Sequence, residues 1–353
     1  MHTKPKILFI LKRSEDYNAE LHSAIGLSTG LYNSAKFVND MMVDNGFDSN
    51  LVVVTDNNDI DREVTKYKPD VVIIEALWVV PTKFTVLQKL HPDVTWLIRM
   101  HSETPFVAGE GMAMDWLGEY SNFKNVGIAC NSPRFLTEIR SYLQFKHSWS
   151  IFDTENRVVY LPNYYPQDYK KKKLDHRKDT IDIGCFGAIR PLKNHLTQAI
   201  AAVRFAEYNG KKLNFHINSG RIEMKGQPVS NNLMGLFEQL SYRGHQLINH
   251  QWVPREQFLE LCAQMDIGMQ VSFSETFNIV GADFISQGVP LIGTKEIPWL
   301  DNWFAADPSD SNDIVRKLQS SYGFSGVNTW LNKRSLTKYT KLSQATWLDY
   351  FGY

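Results

Sequence analysis

The chain has 353 residues, enough for two domains of ordinary size. Hydrophobic residues make up 43% and charged residues 22%, a balance that argues against disorder. Lys plus Arg equals Asp plus Glu at 38 each, so a globally basic nucleic-acid binder is not indicated, although a local basic patch stays open. The 3 cysteines, Cys130, Cys185 and Cys262, are odd in number and widely spaced, giving neither a disulfide framework nor a metal pattern.

The N-terminal run Ile7-Leu8-Phe9-Ile10-Leu11 is far shorter than the roughly 20 apolar residues of a membrane span, and no small-residue cleavage site follows it. It reads as a buried first strand of a soluble, cytoplasmic protein. Further strands are predicted at 51–55, 70–75, 95–99, 126–130 and 158–161, with helices such as 31–45 and 133–142 between them. The second half repeats the plan with strands at 180–186, 213–217, 247–253, 267–271, 290–294 and 304–307. Continuous apolar strands alternating with helices mean parallel sheets covered on both faces, and two such sets mean two Rossmann-like domains. The expected division is 1–164, a polar linker at 165–179 carrying the solvated run Lys170-Lys171-Lys172-Lys173, 180–331, and a terminal segment at 332–353.

Four places carry candidate chemistry. Gly26-Leu27-Ser28-Thr29-Gly30 precedes a helix, where a glycine-rich turn such as that at Gly30 admits a phosphate or Ser28 or Thr29 caps the helix. It fits neither nucleotide-binding fingerprint. Arg99-Met100-His101 ends the fourth strand and offers His101. In Gly187-Ala188-Ile189-Arg190-Pro191-Leu192-Lys193, Gly187 allows close backbone approach, Arg190 offers a planar fork and Lys193 a point charge for phosphate oxygens. The loop lies at the carboxyl end of its domain's first strand, where such sheets bind ligands. Last, Glu275 opens a predicted helix and Asp283 follows eight residues on, so that both project from one helical face. The first turn of that helix, at Phe277, Asn278 and Ile279, has backbone N–H groups for a phosphate.

This last pattern, followed by Gly288-Val289-Pro290, resembles the Glu-x7-Glu motif of retaining family-4 glycosyltransferases of the two-domain GT-B fold, with Asp283 in place of the second Glu. The resemblance implies a nucleotide-diphosphate sugar, most readily a UDP-sugar, in the cleft between the domains, with no resident cofactor and no metal. It implies that Glu275 meets donor-sugar hydroxyls, the amides of Phe277, Asn278 and Ile279 the diphosphate, and Asp283 the ribose. By the same resemblance His101 lines the sugar pocket, Gly30 and Gly187 admit the donor, Arg190 and Lys193 bind the diphosphate, and the C-terminal helix crosses back to the first domain. The expected activity is retaining hexosyl or pentosyl transfer to a hydroxyl of a glycan or small molecule. Two alternatives stay open. One is an inactive nucleotide-binding module of the same fold. The other is a phage-type enzyme acting on hydroxymethylcytosine in DNA, since segment 101–116 with Gly109-Glu110-Gly111 is similar to viral and phage members. Asp59-Ile60-Asp61, which looks like a metal-binding Asp-x-Asp, is read as acids at a helix start.

Overall fold

The computed structural model describes residues 4–12 and 30–353. These form two compact units. Unit 1 holds residues 4–12, 30–166 and Thr340–Tyr353; unit 2 holds Gln167–Tyr339.

Unit 1 is built on a parallel sheet of β1 (Ile7–Lys12), β2 (Ser49–Val54), β3 (Val71–Glu75), β4 (Thr95–Met100), β5 (Val126–Cys130) and β6 (Val158–Tyr160), in the order β2-β1-β3-β4-β5-β6. Successive side chains alternate between faces. Leu8, Ile10, Val72 and Ile74 therefore join one core, and Ile7, Phe9, Ile73 and Leu97 another on the opposite face. Trp347, near the end of helix Ser325–Tyr350, completes the second core: its ring lies 6.1 Å from Phe9, and Nε1 donates to the Pro162 carbonyl at 2.8 Å. Helix Pro133–His147 starts where Ser132 caps it, Oγ accepting from Phe135 N at 3.4 Å.

Unit 2 repeats the layer plan with β7 (Thr180–Gly184), β8 (Lys212–Ile217), β9 (Gln246–Asn249), β10 (Ile267–Gln270) and β11 (Leu291–Gly293), all parallel, in the order β11-β10-β7-β8-β9. Gly268 lets helix Ile279–Ser286 lie close on this sheet, because a Cβ there would stand 2.5 Å from the Phe284 ring. The strand expected at 304–307 is only a single bridge, Ala305 to Gly293. Asp301 accepts from Trp303 N and starts a 3-10 turn, Asn302–Phe304, that uses up the segment.

The tetralysine run is not simply solvated. Lys170 N donates to Ser286 O at 2.6 Å, and the half-buried Lys172 donates from Nζ to the carbonyls of Ala263, at 2.6 Å, and Met265. Segment 167–179 therefore belongs to unit 2 by its bonds, and one of the four charges is committed to the protein itself. No helix among the described residues is long and apolar enough to cross a membrane.

Candidate active site

In unit 2 the loop after β7 and the segment after β10 are tied together. Phe273 N donates to Leu192 O at 2.9 Å. Asn194, in the left-handed conformation at φ 56°, donates from Nδ2 to Val271 O at 3.1 Å. Gln198 accepts from Val271 N at 2.8 Å and donates to Lys193 O at 2.8 Å. These bonds bring Lys193 to Glu275, and Nζ donates to Oε1 at 2.5 Å. Lys193 and Glu275 expose 13% and 7% of their side chains. Burial lowers the Lys193 pKa, Glu275 opposes that, and Arg190 adds to it.

Arg190 Nη1 meets Glu223 Oε2 at 3.2 Å, and Arg221 approaches the other carboxylate oxygen. The backbone makes this grouping: Ile189 N donates to Arg221 O, and Glu223 N to Ile189 O, both at 3.0 Å. Gly187, at φ 121°, is in a conformation that favours glycine, donates its N–H to Asn218 Oδ1 at 2.7 Å, and has open space where a Cβ would be. His195, one residue beyond Asn194, is 1% exposed, and among the described residues neither ring nitrogen finds a hydrogen-bond partner. Burial, with Lys193 and Arg190 nearby, pushes its pKa down to about 3.

The expected helix across Glu275 and Asp283 is corrected here. The helix runs Ile279–Ser286, so Glu275 lies in the preceding turn and the two acids share no helical face. Asn278 is the reason: at φ 62° it cannot continue a helix backwards, and its Oδ1 accepts from Gly281 N at 2.7 Å as the N-cap. Its Nδ2 donates to Gln270 Oε1 at 2.9 Å, and Gln270 Nε2 to Phe186 O at 3.0 Å, which locks the cap to the end of β7. Phe277 is 2% exposed and its carbonyl accepts from Trp299 Nε1 at 2.7 Å. The N–H groups of Ile279 and its successor head the helix, where no intrahelical acceptor exists. Asp283, 2% exposed, accepts from Arg255 Nη2 at 2.7 Å. Sequence reasoning missed Arg221 and Glu223, which lie outside regular elements, and Arg255, which opens helix Arg255–Gln264, since single charges at such places carry no pattern.

His101 lies in unit 1, just beyond β4, with Nε2 against Glu75 Oε2. Glu75 ends β3 and also receives Arg99 Nη1 at 3.1 and 3.2 Å. Asn131 and Asn163, which follow the next two strands, meet at 3.4 Å through Nδ2 and Oδ1. Glu75 and its pairing with Arg99 were missed, although an ionisable residue ending an apolar strand was the visible signal. Gly30 is the first residue of helix Gly30–Asp44; the rest of its turn, 26–29, lies outside the described residues. Asp59 and Asp61 sit in the first turn of helix Asp59–Tyr67, where Asp59 accepts from Thr55 N at 2.9 Å. Among the described residues no group of three or more His, Cys, Asp or Glu side chains is placed to hold a metal ion.

No family model and no curated protein sequence matches the chain. Solved structures do. The OtsA apo structure superposes with a TM-score of 0.72 at 9% identity, over 99% of both chains. HepE from Anabaena in complex with UDP-glucose gives 0.61 at 11% identity, over 98% of this chain and 100% of that one. A variant of TarM from S. aureus, in complex with UDP and alpha-GlcNAc-glycerol among others, gives 0.57 at 10% identity. That match covers 80% of this chain, which spans only 55% of TarM. These neighbours are GT-B glycosyltransferases. At such identities the likeness speaks for architecture, and with the two parallel sheets described above it shows that the chain has the GT-B fold of two Rossmann-like domains.

Proposed function

We propose that the chain is a retaining, metal-independent glycosyltransferase that moves a sugar from a UDP-sugar to a hydroxyl of a glycan or small molecule. The observation that carries this reading is the nearly buried Lys193–Glu275 pair beside the Asn278-capped helix. It brings together a cation, a carboxylate and helix amides, groups whose chemistry suits phosphates and sugar hydroxyls. The fold of HepE, solved with UDP-glucose, supports UDP-glucose as the first donor to try.

In this reading Glu275 accepts from donor-sugar hydroxyls and the amides of Phe277, Asn278 and Ile279 take the diphosphate. Asp283 accepts from the ribose, while Gly30 and Gly187 leave room for the phosphates. Arg190, Lys193 and the helix N-terminus neutralise charge as the C–O bond to the diphosphate breaks, and that stabilisation is the protein's main catalytic contribution. His101 is assigned to the donor-sugar pocket. The acceptor attacks from the face the leaving group departs, and the leaving phosphate receives its proton, so the anomeric configuration is kept. A thermal-shift screen of nucleotide sugars, then hydrolysis and transfer assays with the product anomer read by NMR, tests the proposal. A stabilising donor that is turned over with retention supports it; inverted product removes the retaining mechanism, and binding without turnover leaves a nucleotide-binding module.

A further inference from the structure

In unit 2 the loops that leave β7, β8 and β9 are tied to one another at the carboxyl edge of the sheet, where such sheets bind ligands. Besides the bond from Gly187 to Asn218, Ser219 N donates to Asn249 Oδ1 and His250 N to Ile217 O, both at 2.8 Å. A polar chain leads up to this edge. Asp182 of β7 is in register with Asn214 of β8, and side chains alternate between faces, so Asp182, Asn214 and His216 share one face. Asn214 Nδ2 donates to Asp182 Oδ1 at 2.9 Å, and His216 Nε2 meets the same oxygen at 3.0 Å. His216 exposes 8% of its side chain, and its Nδ1 meets His250 Nε2 at 2.8 Å, with the two rings only 10° from parallel. The His250 ring also stands 6.0 Å from that of Phe186, the residue before Gly187. The proposed chemistry has so far no use for this chain of three.

The direction of the chain follows from its carboxylate end. The hydrogen bond from His216 lowers the Asp182 pKa against the opposing effect of burial, so the carboxylate is ionised. A carboxylate only accepts, so His216 Nε2 carries the hydrogen. With one hydrogen on each ring, His216 Nδ1 accepts, His250 Nε2 donates, and His250 Nδ1 is left as an acceptor. Burial, and then His216, lower the His250 pKa, which keeps that ring neutral at pH 8. His250 is half-buried; among the described residues its Nδ1 makes no hydrogen bond, yet it is not sealed from solvent.

We infer that His250 is a specificity residue of the donor site: held by His216 and Asp182, it offers Nδ1 as the acceptor for an N–H of the nucleobase. The inference deepens the proposed function and rests on it. In that reading the diphosphate lies at Lys193 and the head of helix Ile279–Ser286, the ribose at Asp283, and the base one step beyond. Asp283 is bonded to Arg255, the first residue of helix Arg255–Gln264, and the loop that enters this helix begins at His250. Uracil joined to ribose has a single N–H, at N3, and that is the group His250 takes.

The test compares UDP with N3-methyl-UDP, whose base has no N–H, by calorimetry on the whole protein at pH 8, in the wild type and in His250→Ala. Methylation should weaken wild-type binding roughly tenfold and binding to His250→Ala by less than about twofold. A long-range 1H–15N spectrum of the wild type, with His250 assigned by its loss in His250→Ala, should show Nε2–H. In His216→Phe, which keeps a flat ring without nitrogens, both tautomers of His250 should appear and the methylation penalty should shrink. A wild-type His250 carrying its hydrogen on Nδ1 overturns the inference without any variant, so a His216→Phe that fails to fold does not shield it. So does a methylation penalty that is absent from the wild type or equally large in His250→Ala. An unchanged spectrum and penalty in a folded His216→Phe overturn the part given to His216 and Asp182. A protein that binds no UDP sinks instead the UDP-sugar reading, and this inference with it.

Discussion

Lys193 Nζ and Glu275 Oε1 are joined at 2.5 Å across 82 positions of sequence. The two residues assigned to different parts of one ligand thus hold each other, and a diphosphate meeting the ammonium competes with Glu275 for it. Glu275→Gln keeps the fold and relieves that competition. UDP affinity should hold or improve, while turnover falls by the loss of one charge-assisted hydrogen bond, about 1.5–3 kcal/mol or roughly 10- to 150-fold. Steady-state kinetics beside calorimetry separate the two effects; wild-type turnover would take Glu275 out of the site.

Arg190→Ala and Lys193→Ala should each weaken UDP tenfold or more and change uridine by less than twofold, since only UDP carries phosphate charge. Titration calorimetry with both ligands decides this. Equal losses for the two would mean that these side chains act elsewhere.

Asp283→Asn removes a buried carboxylate from Arg255. Breaking a fully buried pair costs about 3–5 kcal/mol; Arg255 is 20% exposed, so solvent recovers part and about 2 kcal/mol is expected. That corresponds to a fall in Tm of roughly 4–8 °C. Uridine affinity should drop as well if the ribose meets this carboxylate. A lower Tm with unchanged uridine binding makes Asp283 a partner of Arg255 and nothing more.

His195 predicts an acid limit on stability. Its folded pKa, about 3, lies below the ordinary value of 6.5. Between those two values the unfolded chain binds the proton and the folded chain does not, so stability falls as pH drops from 6.5 toward 3. The slope is up to about 1.4 kcal/mol per pH unit. His195→Leu removes the titration, so its stability relative to the wild type should grow by that slope with acidification. Urea unfolding of both proteins at pH 7, 6, 5 and 4 measures it, and a constant gap would show His195 titrating alike in both states.

Activity should persist in excess chelator, because Arg190 and Lys193 are placed to balance the diphosphate charge. Complete loss with EDTA, restored by magnesium or manganese, would end the metal-independent mechanism.

The fold was legible because the eleven strands among the described residues are short, largely apolar runs, most of them separated by helices, and a run such as Val71–Ile74 has no solvent-facing alternation to confuse it. The loop geometry was not. The sequence Thr276-Phe277-Asn278 does not show by itself that Asn278 takes a positive φ and delays the helix to Ile279, because the local cap bond to Gly281 is joined by a bond to Gln270, a partner that another element supplies. Arg190 and Lys193 were visible as cations in a loop, but not their carboxylate partners, Glu223 and Glu275, which arrive from 33 and 82 positions away. The Asp283–Arg255 pair was hidden for the same reason.

The placement of Trp347 also sets an order of assembly during synthesis. Unit 1 has its strands early in the chain, yet its second core lacks the indole that covers Phe9 until the last helix emerges. At roughly 5–20 residues per second, a ribosome delivers Trp347 about 10–40 s after Tyr160. Among the described residues unit 2 is one uninterrupted stretch, Gln167–Tyr339. The later-encoded half can therefore close first, while the earlier half keeps an uncovered apolar face.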